Sequence, residues 1–243
     1  MKKAFIVGIN GKMGKMLVDL AASCGYEISG GLDTAADGKA VFTNAAQVNV
    51  NYDVVIDFSR PATLPEVVAL CCARGVPAVI ATTGYSDGEL AAIAELSKSV
   101  PVFRSANMSL GIAATKAAAV AAKAVLGDAF DIEIVEKHHN QKADSPSGTA
   151  LLLADALAPK DKQIFGRDGK RNHGELGITS VRGGGVVGEH EIGFYGEDEI
   201  VTVSHSARSR RLFAAGAFKA ADFCMGKPAG LYDMDDLVKE ILG

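Results

Sequence analysis

The sequence predicts an α/β fold up to about Asn107 and an α+β fold with a mixed sheet after it. Three observations predict this. Strand and helix signals alternate through the first part. Its strands are continuous apolar runs, as in a parallel sheet covered by helices on both sides. After Asn107, strand-length runs alternate apolar with polar residues and are separated by glycine or acidic turns, as in a half-exposed sheet.

"KAFIVGI" is a first strand that ends in glycine, and "KMGKMLVDLAAS" follows with helical spacing of Met13, Met16, Leu17 and Leu20. "YEISGGLD" and "YDVVIDFS" read as the second and third strands. "PATLPEVVALCCARG" is a helix with Pro65 in its first turn and Gly75 beyond its end. "VPAVIATTG" and "PVFRSA" are strands around the helix "DGELAAIAELSKS". "SLGIAATKAAAVAAKAVL" is then a long alanine-rich helix, and "DIEIVEKHH" a half-exposed strand. A helix over 149–158 precedes the strands "LGITSVRGG", "EHEIGFYGED" and "EIVTVSHSA", and helices return at 212–225 and 233–242. The expected domains are residues 1–108, completed by C-terminal helices within 216–243, and residues 109–215.

The chain has 243 residues, about half of them apolar, enough for a sizeable core. A net charge of −4 argues against a general nucleic-acid binder, and the small basic cluster "ARSRR" at 207–211 has no aromatic neighbours. No secretory leader is expected, since glycines interrupt the N-terminal run. No apolar stretch is expected to cross a bilayer, because Lys116 and Lys123 break the alanine-rich helix. Cys24, Cys71, Cys72 and Cys224 lack metal or redox spacing and read as buried thiols in a reducing compartment. The expectation is a cytoplasmic protein with no membrane partner.

"GINGKMG" sets Gly8, Gly11 and Gly14 between the first strand and first helix. Glycine permits a tight turn and lets a pyrophosphate sit against the helix N-terminus. The spacing is GxxGxxG rather than GxGxxG, and alone it is weak. Asp33, at the end of the second strand, strengthens it, because a carboxylate there accepts hydrogen bonds from the adenosine ribose. These features predict a Rossmann-like dinucleotide-binding domain. Asp33 would repel a 2′-phosphate, and Thr34, Ala35 and Ala36 supply no cation. NADH is therefore expected to serve at least as well as NADPH, although Lys12, Lys15 and Lys39 are in range of a phosphate. "ATTG" at 81–84 ends a later strand, where ligands of open parallel sheets lie.

"VEKHHNQKADSPSGTA" gathers His138, His139 and Lys142 just before a predicted helix start. Pro146 is expected to open that helix, with Ser147, Gly148 and Thr149 at its N-terminus, where free N–H groups attract an anion. An imidazole pair, an ammonium and an anion nest suit an acidic substrate that must also receive a proton. A metal site is not expected, because adjacent histidines rarely both reach one ion.

From Glu136 to Ala150 this segment matches E-x-H-H-x-x-K-x-D-x-P-S-G-T-A and so resembles the dihydrodipicolinate reductase family. "DFSRP", "TTG", "SANMSLG", "VRGGGVVGEHEIGF" and "GLYDMDDL" extend the resemblance along nearly the whole chain. It implies an NAD(P)H-dependent 4-hydroxy-tetrahydrodipicolinate reductase of diaminopimelate and lysine biosynthesis. Hydride would go to C4 of a cyclic imine dicarboxylate after loss of water, giving tetrahydrodipicolinate. The resemblance implies His138 as acid/base residue and Lys142 as proton donor. It gives substrate binding to His139, Ser147, Gly148 and Thr149. It gives cofactor binding to Gly8, Ile9, Asn10, Gly11, Lys12, Met13, Asp33, Ala81, Thr82, Thr83, Ser105, Ala106, Asn107 and Met108. Ala81 departs from the glycine common there in the family, and Thr34 from the frequent arginine. Arg60 reads equally as a cofactor contact or a structural ion pair. A homotetramer built through the sheets of the second domain is also implied.

Two rivals are weaker. A thioester-forming semialdehyde dehydrogenase needs a cysteine at a helix N-terminus, but Cys71 and Cys72 lie deep in a helix. A dinucleotide sensor would have no use for Lys142 beside the histidines.

Overall fold

The structure, a computed structural model, describes residues 1–36 and 40–243. Lys39, in range of a phosphate by sequence, lies outside the described residues. The chain divides into two compact units, Met1–Ser109 with Arg211–Gly243, and Leu110–Arg210.

The first unit is built on strands β1 (Lys2–Val7), β2 (Tyr26–Leu32), β3 (Val41–Phe42), β4 (Val54–Asp57), β5 (Ala78–Ile80), β6 (Pro101–Arg104) and β12 (Gly230–Tyr232). They form one parallel sheet in the order β12-β6-β5-β4-β1-β2-β3. The chain winds outward in both directions from β1, so the switch point lies between β1 and β4, where such sheets take their ligands. Side chains alternate along β1. Phe5 and Val7 face Leu64, Val67 and Leu70 of α2 (Leu64–Arg74) and Ile93 and Leu96 of α3 (Asp87–Leu96). The other face carries α1 (Lys12–Ala21) and α6 (Arg211–Cys224), with Tyr26 packed at a tilt against Phe218, 4.8 Å between ring centroids. Ser86 and Glu89 form the capping box that starts α3. The short β3 and β12 carry too few residues to show a period, and the sequence did not mark them.

The second unit holds α4 (Leu110–Leu126), β7 (Asp131–His138), α5 (Gly148–Leu157), β8 (Gln163–Phe165), β9 (Leu176–Arg182), β10 (Gly188–Tyr195) and β11 (Ile200–Ala207). Its sheet runs β11-β10-β7-β9-β8, antiparallel from β7 to β11 and parallel from β7 to β8, the mixed sheet expected. Ile132 and Ile134 of β7 pack with Leu153 and Leu157 of α5 and with Ile192 and Phe194 of β10.

Three expectations need correction. Leu110–Ala129 is long and apolar enough, by length and composition alone, to cross a membrane, so two lysines do not disqualify it. Here it packs Ala119 into the core of the unit, and Lys123 Nζ donates to the carbonyl of Leu157. Of the cysteines, only Cys71 and Cys224 are buried; Cys24 is half-buried and Cys72 exposed. Pro146 does not open α5. Ser147 is the N-cap, Gly148 the first helical residue, and the proline lies one step outside.

A Cβ on Gly14 would sit 2.2 Å from the Gly8 carbonyl oxygen and 2.4 Å from that of Ile9, so α1 crosses the loop backbone without room for a methyl group. Gly14→Ala should cost about 2–3 kcal/mol of stability, read as a lowered Tm of the intact chain. An unchanged Tm would mean that the helix sits further from β1 than described.

Candidate active site

The glycine loop leaves β1 through Gly8, whose φ is +84° and whose absent Cβ would lie 2.6 Å from the Phe58 carbonyl oxygen. Gly11 then serves as N-cap of α1 without a side chain, and the first turn holds no acidic residue. Such an end draws an anion through its N–H groups and dipole. Asp33 stands just past β2. Its Oδ2 accepts from Asn10 N at 2.9 Å and its Oδ1 from Thr34 N at 2.7 Å. The carboxylate is thus held by two backbone N–H groups.

A cavity of about 510 Å³ opens here, lined among others by Gly8, Asn10, Gly11, Asp33, Ser59 and Arg60. Arg60 therefore lines this cavity. Ile9 of the loop and Lys12 and Met13 of the first turn of α1 lie outside the cavity lining, and Lys12 is exposed. Thr82 is joined to this region because its Oγ1 accepts from Ser59 N at 2.9 Å. Ala81 and Thr83 flank it. Beneath them lies Asp57, 1% exposed. It accepts from Ser59 Oγ at 2.5 Å and from Tyr85 Oη at 3.2 Å. Burial raises the Asp57 pKa, and those hydrogen bonds oppose the rise. Ser105 through Met108 form a self-bonded turn: Asn107 N donates to Ser105 Oγ, and Ser109 N to Asn107 Oδ1. Ser105, Ala106, Asn107 and Met108 lie outside the cavity lining.

In the second unit, β7 alternates so that Ile132, Ile134, Glu136 and His138 are buried. Glu136 is 0% exposed. Its Oε2 meets His138 Nδ1 at 2.5 Å and Arg182 Nη1 at 2.8 Å. Its Oε1 accepts from Arg182 Nη2 at 2.7 Å and from Ser147 N at 3.1 Å. Burial alone would raise the Glu136 pKa, but Arg182, Ser180, His138 and Ser147 outweigh it and hold it down to about 2. The His138 pKa is lowered by burial, against the pull of Glu136. His190 of β10 lies edge-on to His138, 5.2 Å between centroids, and burial takes its pKa down to about 4. His190 Nε2 is 3.2 Å from Ser147 Oγ, which also accepts from Ala150 N at the start of α5.

His139 turns to the other side of the strand end and is half-buried; its carbonyl accepts from Lys142 N at 3.2 Å. Lys142 Nζ pairs with Asp144 Oδ1 at 2.9 Å. That ammonium, and beside it the backbone of Gly148, hold the Asp144 pKa down. A carboxylate therefore already rests against the lysine and the helix start. A Cβ on Gly148 would meet nothing within 4 Å, so this glycine faces open space rather than packed protein. Thr149 lies in the same first turn.

The structure thus links His138, Lys142, Ser147 and Gly148 through Glu136 and Asp144. It adds Glu136, Arg182 and His190, which the sequence reading passed over. Glu136 had a signal: it occupies an inward register of β7, where a charge demands partners. Arg182 had none, since its pairing with Glu136 spans 46 positions. Among the described residues no group of three or more His, Cys, Asp or Glu side chains is placed to hold a metal ion.

The Glu136 pKa lies below the ordinary value of 4.5, at about 2. Its contribution is therefore complete above about pH 4.5 and is lost as pH falls toward 2, on the order of 3 kcal/mol in all. Acid titration followed by circular dichroism should show that slope, and Glu136→Gln should lack it. An identical slope in both proteins would mean that Glu136 titrates normally.

Comparison with known proteins gives concordant results. Residues 2–108 match the family described as "Dihydrodipicolinate reductase, N-terminus", and residues 111–238 match "Dihydrodipicolinate reductase, C-terminus". A 4-hydroxy-tetrahydrodipicolinate reductase of Caldanaerobacter subterraneus is 48% identical, over 99% of each chain. One of Clostridium tetani is 45% identical, over 97% of this chain and 96% of its own. The solved dipicolinate-bound dihydrodipicolinate reductase of a Paenisporosarcina species superposes with a TM-score of 0.80 at 27% identity, covering 96% of this chain and 97% of that one. A myo-inositol dehydrogenase of Corynebacterium glutamicum shares the fold alone, with a TM-score of 0.59 at 14% identity over 100% of this chain and 94% of its own. With both family descriptions matched in order and close relatives aligned end to end, the chain belongs to the dihydrodipicolinate reductase family.

Proposed function

We propose that this chain is a 4-hydroxy-tetrahydrodipicolinate reductase acting in the cytoplasm in diaminopimelate and lysine biosynthesis. One observation carries the reading: a histidine, a lysine and a helix N-terminus are drawn together in a segment that matches the family motif residue by residue. The dinucleotide fits the first unit, where the loop excludes side chains and Asp33 stands oriented. Bound there, it supplies the hydride. The protein's own residues do the rest. Lys142 and the N–H groups at Gly148 and Thr149 hold a substrate carboxylate, with Ser147 capping the helix and His139 beside them. Hydride addition to a conjugated imine builds electron density toward the ring nitrogen, and a cation nearby stabilises it. Lys142 or His138 then delivers the proton.

Asp33 and Thr34 favour NADH at least as much as NADPH, because the carboxylate would meet a 2′-phosphate with like charge. A homotetramer through the second unit is the proposed assembly. Its support is β11, which leaves Ile200 62% exposed along an edge strand; light scattering reads the mass directly.

The first test is oxidation of NADH by freshly generated 4-hydroxy-tetrahydrodipicolinate, with NADPH in parallel. Rapid turnover with NADH is expected. Folded protein that binds NADH but turns over with neither cofactor would sink the reading. Lys142→Ala should lose about 100-fold or more in kcat while keeping its NADH affinity. Thr34→Arg should shift the cofactor ratio toward NADPH; an unmoved ratio would remove Asp33 and its neighbour from cofactor choice. Asp144→Asn frees Lys142 and the helix start of an internal competitor, so dipicolinate should bind about 2- to 5-fold tighter by calorimetry. Weaker binding would show instead that Asp144 holds the lysine in place.

A further inference from the structure

We propose that Glu136, clamped by Arg182, is a positioning residue that fixes which nitrogen of His138 exchanges a proton and holds the carboxylate-binding helix start in register with it. The inference rests on the reductase reading and on His138 as its acid/base group.

The geometry leaves Glu136 no other arrangement. A carboxylate offers about four acceptor sites on two oxygens. Here Oε1 takes Ser147 N and Arg182 Nη2, while Oε2 takes Arg182 Nη1 and His138 Nδ1. An ionised carboxylate only accepts, so His138 must donate from Nδ1. The neutral imidazole then carries its lone pair on Nε2. That atom lies toward the backbone of Gly188, where a Cβ would come within 3.0 Å of it. A histidine held at one nitrogen by a buried carboxylate exchanges its proton at the other, and replacing the carboxylate by an amide permits the wrong tautomer.

The same carboxylate reaches two further pieces of the site. Through Ser147 N it fixes the start of α5. Through Arg182, whose Nη2 also donates to the Asp144 carbonyl at 2.7 Å, it fixes the loop that carries Lys142. Arg182 is the cross-strand neighbour of His138 on β9, so the clamp is registered by the sheet itself. A charge buried to this extent is expensive without such partners, and removing one partner leaves the other unpaired.

Glu136→Gln tests this, with Glu136→Gln, His138→Gln and the wild type assayed together. The groups facing His138 are Glu136 from its own strand, Arg182 from β9, His190 from β10, and Lys142 from the loop, itself paired with Asp144. Glu136 favours the imidazolium, while Lys142 and Arg182 oppose it. Its loss should therefore move the alkaline limb of kcat/KM, where His138 gives up the proton it delivers, down by about one pH unit. It should also lower kcat on the order of 100-fold, with NADH affinity unchanged. Wild-type kcat, or a lowered kcat with an unmoved limb, would overturn the proposal.

His138→Gln separates the two readings. If it keeps wild-type turnover, the acid/base role of His138 fails. If it loses turnover while Glu136→Gln does not, only the positioning role fails. Should the glutamine variant not fold, ¹⁵N chemical shifts of histidine-labelled wild-type protein decide. Neutral His138 protonated on Nδ1 is the expected result, and protonation on Nε2 overturns it.

Discussion

The second unit depends on one buried charge. Glu136 is fully enclosed, and a carboxylate there is tolerable only because Arg182 neutralises it and every acceptor site is filled. Those partners come from a neighbouring strand, from two residues along its own strand and from the N-cap of α5. The requirement to satisfy one carboxylate therefore brings a histidine, a loop and a helix start to one place. An apolar residue at that register would pack with Ile132 and Ile134 at lower cost, but it would leave His138 free to rotate and Ser147 N without its acceptor.

The first unit meets its ligand by the opposite means. The loop after β1 works by the absence of side chains, and Asp33 is held by two backbone N–H groups rather than by a counter-ion. Backbone amides and one acid are the groups that, on the proposed reading, would meet a pyrophosphate and a ribose by shape. The lysine, histidine and helix start of the second unit would, on the same reading, meet carboxylates by charge.

Much of this was legible in the sequence. The continuous apolar runs and the glycine spacing locate the parallel sheet, because a strand buried on both faces has no polar register. The alternation in "DIEIVEKHH" locates β7. His138, Lys142 and Gly148 could be named because they fall within one short segment. What was not legible depended on distant pairing or on very short elements. Arg182 meets Glu136 only once β9 lies beside β7. The three-residue strand β12 has no period of its own and is a strand because β6 offers it an edge. Pro146 was misplaced by one turn position, since a proline before an N-cap and a proline inside the first turn look alike in sequence. The alanine-rich α4 shows the same limit: composition alone does not separate a helix packed on a sheet from one that spans lipid.

The order of elements along the chain also bears on how the protein is made. The first unit consists of Met1–Ser109 and Arg211–Gly243, with the whole second unit encoded between them. On a ribosome, the parallel sheet emerges early but lacks its edge strand β12 and the helix α6 that covers one face. Those arrive only after residue 211 is synthesised. The second unit is contiguous and complete before then, so it can finish folding while its host is still open on one side. During that interval the part of the sheet face that α6 covers, with Tyr26 waiting for Phe218, stays exposed.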